Sequence, residues 1–326
     1  MSTMPDSLPV SPAAGGGFVP RIAVIIPCYN EAVAIPKVVA DFRAVLPDAA
    51  IYVYDNNSSD GTGEVARAAG AIVRRETLQG KGNVIRRAFA DVDADLYVLV
   101  DGDDTYEAAA APRMIEALLR EGLDMVNGAR VTEIEKAYRP GHRLGNQVLT
   151  GMVRLVFGDR ISDMLSGYRV FSRRFVKSFP ALAGGFETET EFTVHALDLK
   201  MPVGEVRTAY KDRPAGSTSK LRTYSDGVRI LRTIVVLVKE ERPLQFFSVC
   251  GLVLLLLAFV FGVPVVAEFL RTGLVPRLPT AVLAMGLGLV ATLSFACGLI
   301  LDSVSRGRKE MKRLAYLLVP APPHLP

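Results

Sequence analysis

Leu96-Tyr97-Val98-Leu99-Val100-Asp101-Gly102-Asp103-Asp104 is the stretch on which the fold turns. Five apolar residues, β-branched or aromatic at three positions, stop abruptly at four residues of which three are acidic. A short continuous apolar run bounded by turn residues is the pattern of a strand buried on both faces. Working outward, the pattern repeats. Ile22–Ile26 ends at Pro27, and Ile51–Tyr54 ends at Asp55-Asn56-Asn57-Ser58-Ser59-Asp60-Gly61. Ala71–Val73 is a third run, and Asp124–Gly128 is a fifth that leads to Arg130. Between the runs, helical spacing is legible over Ile35–Leu46, from near Gly61 with Asp60 as its cap, over Asn83–Asp91 and over Ala109–Arg120. Strands alternating with helices of this size predict an α/β fold with a largely parallel sheet. Ligands of such sheets bind at the carboxyl ends of the strands, where the polar clusters stand.

Asp101 and Asp103 therefore read either as a metal site or as an ordinary acidic turn, and the pair alone does not decide. Two carboxylates two residues apart at a strand end can reach one divalent cation, Mg2+ or Mn2+, and the phosphates it bridges. Other metal chemistries are excluded by count. The three cysteines (Cys28, Cys250, Cys297) form no CxxC pair, and the three histidines (His142, His195, His324) lie far apart. With 38 basic and 34 acidic side chains, the net charge of +4 does not point to nucleic acid.

Half of the 326 residues are apolar, and the mean hydropathy of +0.27 is high for a soluble protein with 22% charged residues. The excess sits in Leu244–Ala267 and Thr280–Leu301, which run 24 and 22 residues without a charge. Each can cross a hydrocarbon core of about 30 Å as a helix. Leu252–Val260 has no polar face, which speaks for a span over a buried core helix. Lys220–Arg242 holds six basic and three acidic residues, and Asp302–Arg313 five and two, while the intervening hairpin has only Arg271, Arg277 and Glu268. Positive flanks stay cytoplasmic, so both the first domain and the C-terminus are expected on the cytosolic face of the inner membrane. The expected organisation is a disordered lead-in over 1–20, a cytosolic α/β domain over 21–222 and an amphipathic juxtamembrane helix over 223–242. Spans over 243–268 and 280–302 follow, joined by a short extracytoplasmic loop at 269–279, with a cytosolic tail over 303–326.

Four ordered motifs resemble family 2 glycosyltransferases of the GT-A fold: Val24 through Glu31 around Pro27-Cys28-Tyr29-Asn30, Asp55 through Thr62, Gly80-Lys81-Gly82-Asn83, and Asp101-Gly102-Asp103. Asp163-Met164-Leu165-Ser166-Gly167-Tyr168-Arg169 and Gly216 through Leu221 look like the polyprenyl-phosphate branch, which includes dolichol-phosphate mannose synthases and bactoprenol-phosphate glucosyltransferases. The resemblance implies that Pro27, Tyr29, Glu31, Asp55, Gly80 and Lys81 contact the nucleotide sugar, and that Asp101, Gly102 and Asp103 hold its diphosphate and metal. Asn56 stands where the family often has a second Asp, and Thr105 where some mannose synthases have a Gln. Arg130, Arg143, Arg213 and Lys220 resemble basic positions that hold phosphates, and Asp163 is a further catalytic candidate. Of Glu187, Glu189 and Glu191, which can bind sugar hydroxyls or complement a helix N-terminus, the resemblance favours Glu191. His195, on the same expected helix, reads as structural.

The implied reaction is inverting transfer of a hexose from a UDP- or GDP-sugar to polyprenyl (undecaprenyl) phosphate for cell-envelope glycans. The implied partners are the nucleotide sugar, the lipid phosphate, the bilayer and a second copy of the chain. The alternatives are the same fold acting on another lipid or glycan acceptor, or a non-catalytic membrane scaffold. A processive polysaccharide synthase would carry QxxRW, and this chain has no Trp. A Rossmann dehydrogenase would carry GxGxxG after the first strand, and none is there.

Overall fold

The computed structural model describes residues 19–131, 161–181, 188–211, 235–236, 239–240 and 242–322. Seven strands form one sheet: β1 (Ile22–Cys28), β2 (Ala50–Asp55), β3 (Ile72–Arg75), β4 (Leu96–Leu99), β5 (Met125–Val131), β6 (Arg169–Ser172) and β7 (Val203–Ala209). Helices α1 (Ile35–Val45), α2 (Thr62–Ala68), α3 (Lys81–Asp91), α4 (Ala110–Glu121), α5 (Arg173–Ser178) and α6 (Thr188–Asp198) cover it. The strand order is β3-β2-β1-β4-β6-β5-β7. All strands point one way except β6, which pairs antiparallel with both β4 and β5, Leu99 facing Arg169 and Asn127 facing Arg169. The sheet is thus mixed, where the alternating pattern predicts a largely parallel one. Four residues following an irregular loop carry no signal of direction, so the reversal is set by where the chain returns from β5.

Successive residues of a strand face opposite sides of the sheet, and here both sides are dry. Val24, Ile26 and Cys28 pack with Val38, Val39 and Phe42 of α1 and Met114 and Leu118 of α4. Ala23 and Ile25 pack on the other face with Val84, Ile85 and Phe89 of α3 and with an aromatic group of Phe171, Phe175, Phe179 and Phe192. Within that group Phe171 and Phe175 stack with centroids 4.6 Å apart. Burial on both faces explains why the strands read as unbroken apolar runs.

Two long helices follow, α7 (Pro243–Thr272) and α8 (Leu278–Leu317). Their most apolar windows have mean hydropathies of 2.9 and 2.1, and only 11% of each window is buried. A core helix would be covered, whereas these leave Leu252, Leu256, Val260 and Leu289 more than half exposed. They are candidate membrane spans by length, composition and exposure. The pair closes on itself where glycine permits: a Cβ at Gly251 would stand 3.0 Å from the Phe295 ring, and one at Gly298 3.1 Å from Phe247 Cβ.

The helix of α8 does not stop with its apolar run. Its charged last turns lie against α5 and the amino edge of the sheet. Lys309 pairs with Asp198 at 2.5 Å, the Tyr316 hydroxyl donates to Asp124 at 2.8 Å, and the Arg174 guanidinium lies 4.8 Å from the Tyr316 ring centroid.

Candidate active site at the carboxyl edge of the sheet

The exit from β4 is forced tight against the exit from β1. A Cβ at Gly102 would stand 2.6 Å from Cys28 Sγ and 3.3 Å from an Ile26 methyl, so only glycine fits between the two acids. Asp103 is buried and accepts from the Thr105 hydroxyl at 2.6 Å and its amide at 3.3 Å. Asp101 stands more open, with 30% of its side chain exposed, and pairs with the Lys81 ammonium. The loop before β6 closes over it. A Cβ at Gly167 would overlap the Asp101 carboxylate, and the Gly167 amide donates to the Tyr106 hydroxyl at 2.9 Å.

Lys81 begins α3 directly after Gly80, whose φ of 129° an L side chain rarely adopts. Its ammonium is held between Asp101 and Glu189, the latter 2.5 Å away on the first turn of α6. Burial alone would favour the neutral amine, but the two carboxylates outweigh it and raise the Lys81 pKa. Glu189 is itself buried, and its Oε2 has no hydrogen-bond partner. Asp101 and Glu189 thus share one ammonium, beside the buried Asp103.

The loops after β1 and β2 are stitched together. The Asn30 amide donates to Ser58 Oγ at 2.9 Å, Ser59 N to Asn30 Oδ1 at 2.8 Å, and Glu31 N to Thr62 Oγ1 at 2.9 Å. Asn56 brackets the next loop. Its Nδ2 donates to the Glu76 and Leu78 carbonyls, both at 2.8 Å, and its Oδ1 accepts from Gly80 N at 2.7 Å. An aspartate could not make the two donations, so Asn at this position fixes the turn that presents Lys81. Asp60 sits one residue before the α2 cap, which is Gly61 at φ 81°; its Oδ1 accepts from Thr62 N at 3.1 Å. The expected cap is therefore offset by one residue, because the chain needs a left-handed turn there.

On the far side of the edge, Arg130 at the end of β5 makes a two-pronged pair with Asp163, at 2.7 and 2.8 Å, and its guanidinium lies 5.4 Å from the Tyr210 ring centroid. Burial would raise the Asp163 pKa, but hydrogen bonds and charge from Arg130 hold it below the usual carboxylate range. Arg169 is fully buried beneath this loop, donating to the Ser166 and Met164 carbonyls at 3.1 and 2.7 Å and to Thr193 at 3.0 Å. Burial pushes its pKa down to about 10, against the pull of Glu189 and Asp163.

Pro27, Tyr29, Glu31, Asp55, Gly80, Lys81, Asp101, Gly102, Asp103, Arg130 and Asp163 therefore lie at or beside one edge of the sheet. Arg143, Arg213 and Lys220 lie outside the described residues, as does Glu187. Glu189 meets the site through Lys81. Helical spacing carries a signal for this: Glu189 shares a face with Phe192, Thr193 and Ala196, all buried, whereas Glu191 is half-buried, one heptad before Asp198. His195 is buried, edge-on to Phe175 and Phe179, and 3.2 Å from Ser178 Oγ. Among the described residues no three acidic, histidine or cysteine side chains converge on one metal-sized point. The donor set nevertheless fits an ion of the Mg2+ class, which takes one or two carboxylates and completes its shell with phosphate and water.

Residues 23–179 match the family described as Glycosyl transferase family 2. The glycosyltransferase AglJ of Haloferax volcanii is 35% identical over 236 residues, 71% of this chain and 76% of that protein. The dolichyl-phosphate hexose transferase of the same organism is 29% identical over 68% of this chain and 95% of its own length. Among solved structures, glucosyl-3-phosphoglycerate synthase of Mycobacterium tuberculosis, in complex with Mn2+ and UDP-glucose, superposes with a TM-score of 0.54 at 23% identity, covering 68% of this chain and 78% of that one. That likeness is one of fold. Taken with the AglJ match and the mixed sheet, it establishes that this chain is a glycosyltransferase of the GT-A fold and belongs to glycosyl transferase family 2.

Proposed function

We propose that this protein transfers a hexose from a nucleoside diphosphate sugar, UDP- or GDP-linked, to polyprenyl phosphate with inversion at the anomeric carbon, for cell-envelope glycan assembly. The observation that carries the reading is a pairing. An acidic pair at the carboxyl end of β4 sits in a chain whose last two helices expose apolar surface long enough to span a bilayer. The dolichyl-phosphate and undecaprenyl-phosphate transferases among its relatives support the lipid acceptor.

Pro27, Tyr29, Glu31 and Asp55 line the nucleotide end of the edge, and Gly80 with Lys81 approaches the diphosphate. Asp101 and Asp103 would hold Mg2+ or Mn2+, which when bound neutralises the departing diphosphate. The nucleophile is a phosphate oxygen, already ionised near neutral pH, so no strong general base is required. Two anions must approach each other, and Arg130, Arg143, Arg213 and Lys220 are assigned to that task, with Asp163 orienting Arg130. Glu191 is assigned to the sugar hydroxyls. The rate derives from positioning and fixed charge.

In this reading residues 21–222 form the cytosolic catalytic domain, 223–242 lies in the headgroup layer, 243–268 and 280–302 span the inner membrane, 269–279 faces outward and 303–326 returns to the cytosol. The protein acts as a homo-oligomer. The decisive experiment offers the purified protein a panel of UDP- and GDP-hexoses with undecaprenyl phosphate and Mg2+ or Mn2+, and identifies the lipid product. A hexosyl phospholipid formed only with metal is the expected result. Transfer to a soluble glycan but not to the lipid phosphate would overturn the acceptor.

A further inference from the structure

Lys81 occupies the place in the acidic pocket where charge balance calls for a cation. Its ammonium has three hydrogens, and two are accounted for by Asp101 and Glu189. Only 8% of its side chain and 6% of that of Glu189 are exposed, so neither charge is relieved by water. Asp101, with 30% exposed, faces the open side. Glu189 keeps one further acceptor atom, Oε2, buried and unpartnered.

We infer that Lys81 is a resident counter-cation of the acidic pocket, displaced from Asp101 when a divalent ion and a nucleoside diphosphate arrive, and that Glu189 is the positioning residue that receives it. This rests on the reading that Asp101 takes part in binding a metal-bound diphosphate. A divalent ion and an ammonium cannot share the Asp101 carboxylate without strong repulsion at such short range. The ammonium therefore gives up one contact. Glu189 Oε2 offers the replacement inside the pocket, and the remaining hydrogens turn to the incoming phosphate. The ammonium offsets part of the carboxylate charge before the donor binds, and metal plus ammonium offset part of the charge of carboxylates plus diphosphate afterwards. Without the donor, Lys81 holds the acids apart from bulk cations. Glu189 acts through Lys81 and is not itself placed on the metal.

The test uses the full chain in lipid nanodiscs, with free Mn2+ read by electron paramagnetic resonance and UDP or GDP binding measured separately. Lys81→Met removes the competitor, so Mn2+ alone should bind about tenfold tighter or more, while nucleotide binding weakens. Lys81→Gln, which keeps a hydrogen bond to one carboxylate, should show the same two opposite changes and serves where the Met variant does not fold. Glu189→Gln in the wild-type background should weaken Mn2+ binding about tenfold, but by no more than about threefold when Lys81 is already replaced, because the two residues act as one unit. Equal weakening in both backgrounds would make Glu189 an independent metal ligand and overturn the proposal. So would Mn2+ binding that does not tighten in either Lys81 variant. Absence of Mn2+ binding in every variant, with and without nucleotide, would instead remove the metal reading itself, and the exchange with it.

Discussion

The two edges of the sheet bury carboxylates in opposite ways. At the amino edge, Asp124 is fully buried and saturated: Ser172 Oγ at 2.7 Å, the Arg174 guanidinium and the Tyr316 hydroxyl at 2.8 Å all donate to it. At the carboxyl edge, Asp101 and Glu189 share the Lys81 ammonium, and one Glu189 oxygen has no hydrogen-bond partner. Buried polar groups that serve only the fold are matched within the fold. A cluster that leaves charge over is one that a ligand completes. The difference separates the edge that fastens the molecule from the edge proposed to do its chemistry.

The sharpest way to break this comparison is Asp103→Ala. Transfer activity should fall by about a thousandfold or more, the scale of losing a metal-held charge in the transition state. The protein should stay folded, because the Thr105 hydroxyl and amide that the carboxylate accepts from belong to the same tight turn, two residues away. Activity retained by a folded Asp103→Ala protein would end the assignment of this edge.

Next is acid titration near the fastening edge. Burial first, and then the charge of Lys312, pushes the His195 pKa down to about 3, so the fold holds the imidazole neutral. The unfolded chain takes up the proton near its ordinary value of about 6.5. Stability from this residue is therefore present above pH 6.5 and falls by about 1.4 kcal/mol per pH unit between there and about pH 3. Urea unfolding at several pH values should show that slope in the wild type and lose it in His195→Gln.

Asp124→Ala should cost about 3 kcal/mol, since it strands the Arg174 guanidinium. Denaturant titration measures the loss, and transfer per folded molecule should persist, in contrast with Asp103→Ala. Tyr316→Phe is the mildest, removing one hydrogen bond to a carboxylate for about 2 kcal/mol. If it abolished transfer without loss of stability, the two edges would not be separable.

Much of this arrangement is legible in the sequence, for definite reasons. Buried strands announce themselves as unbroken apolar runs, and their ends as acidic or Asn-rich turns, so Asp55 and Asp101 stand out before any coordinates, whereas Lys81 is reached only through the family resemblance. The antiparallel β6 is not legible, because its first residue, Arg169, looks like a surface charge yet is fully buried on carbonyl groups. Asn56 reads as a departure from a pattern, and only the 76–80 loop around it shows why an amide stands there. The docking of α8 is invisible because Lys309 and Tyr316 meet partners more than a hundred residues away.

The 40 residues of α8 form one unbroken rod about 60 Å long, roughly twice the thickness of a hydrocarbon core. Its far end is fastened to Asp124, and with its apolar half in lipid, as proposed, it would act as a lever with its fulcrum at the membrane surface. Spans answer a thicker or thinner bilayer by tilting. A change of about 10° about its midpoint swings the Tyr316 end by about 5 Å, and the sheet attached there must follow. On that reading bilayer thickness would become a mechanical input to the sheet whose opposite edge carries the proposed site.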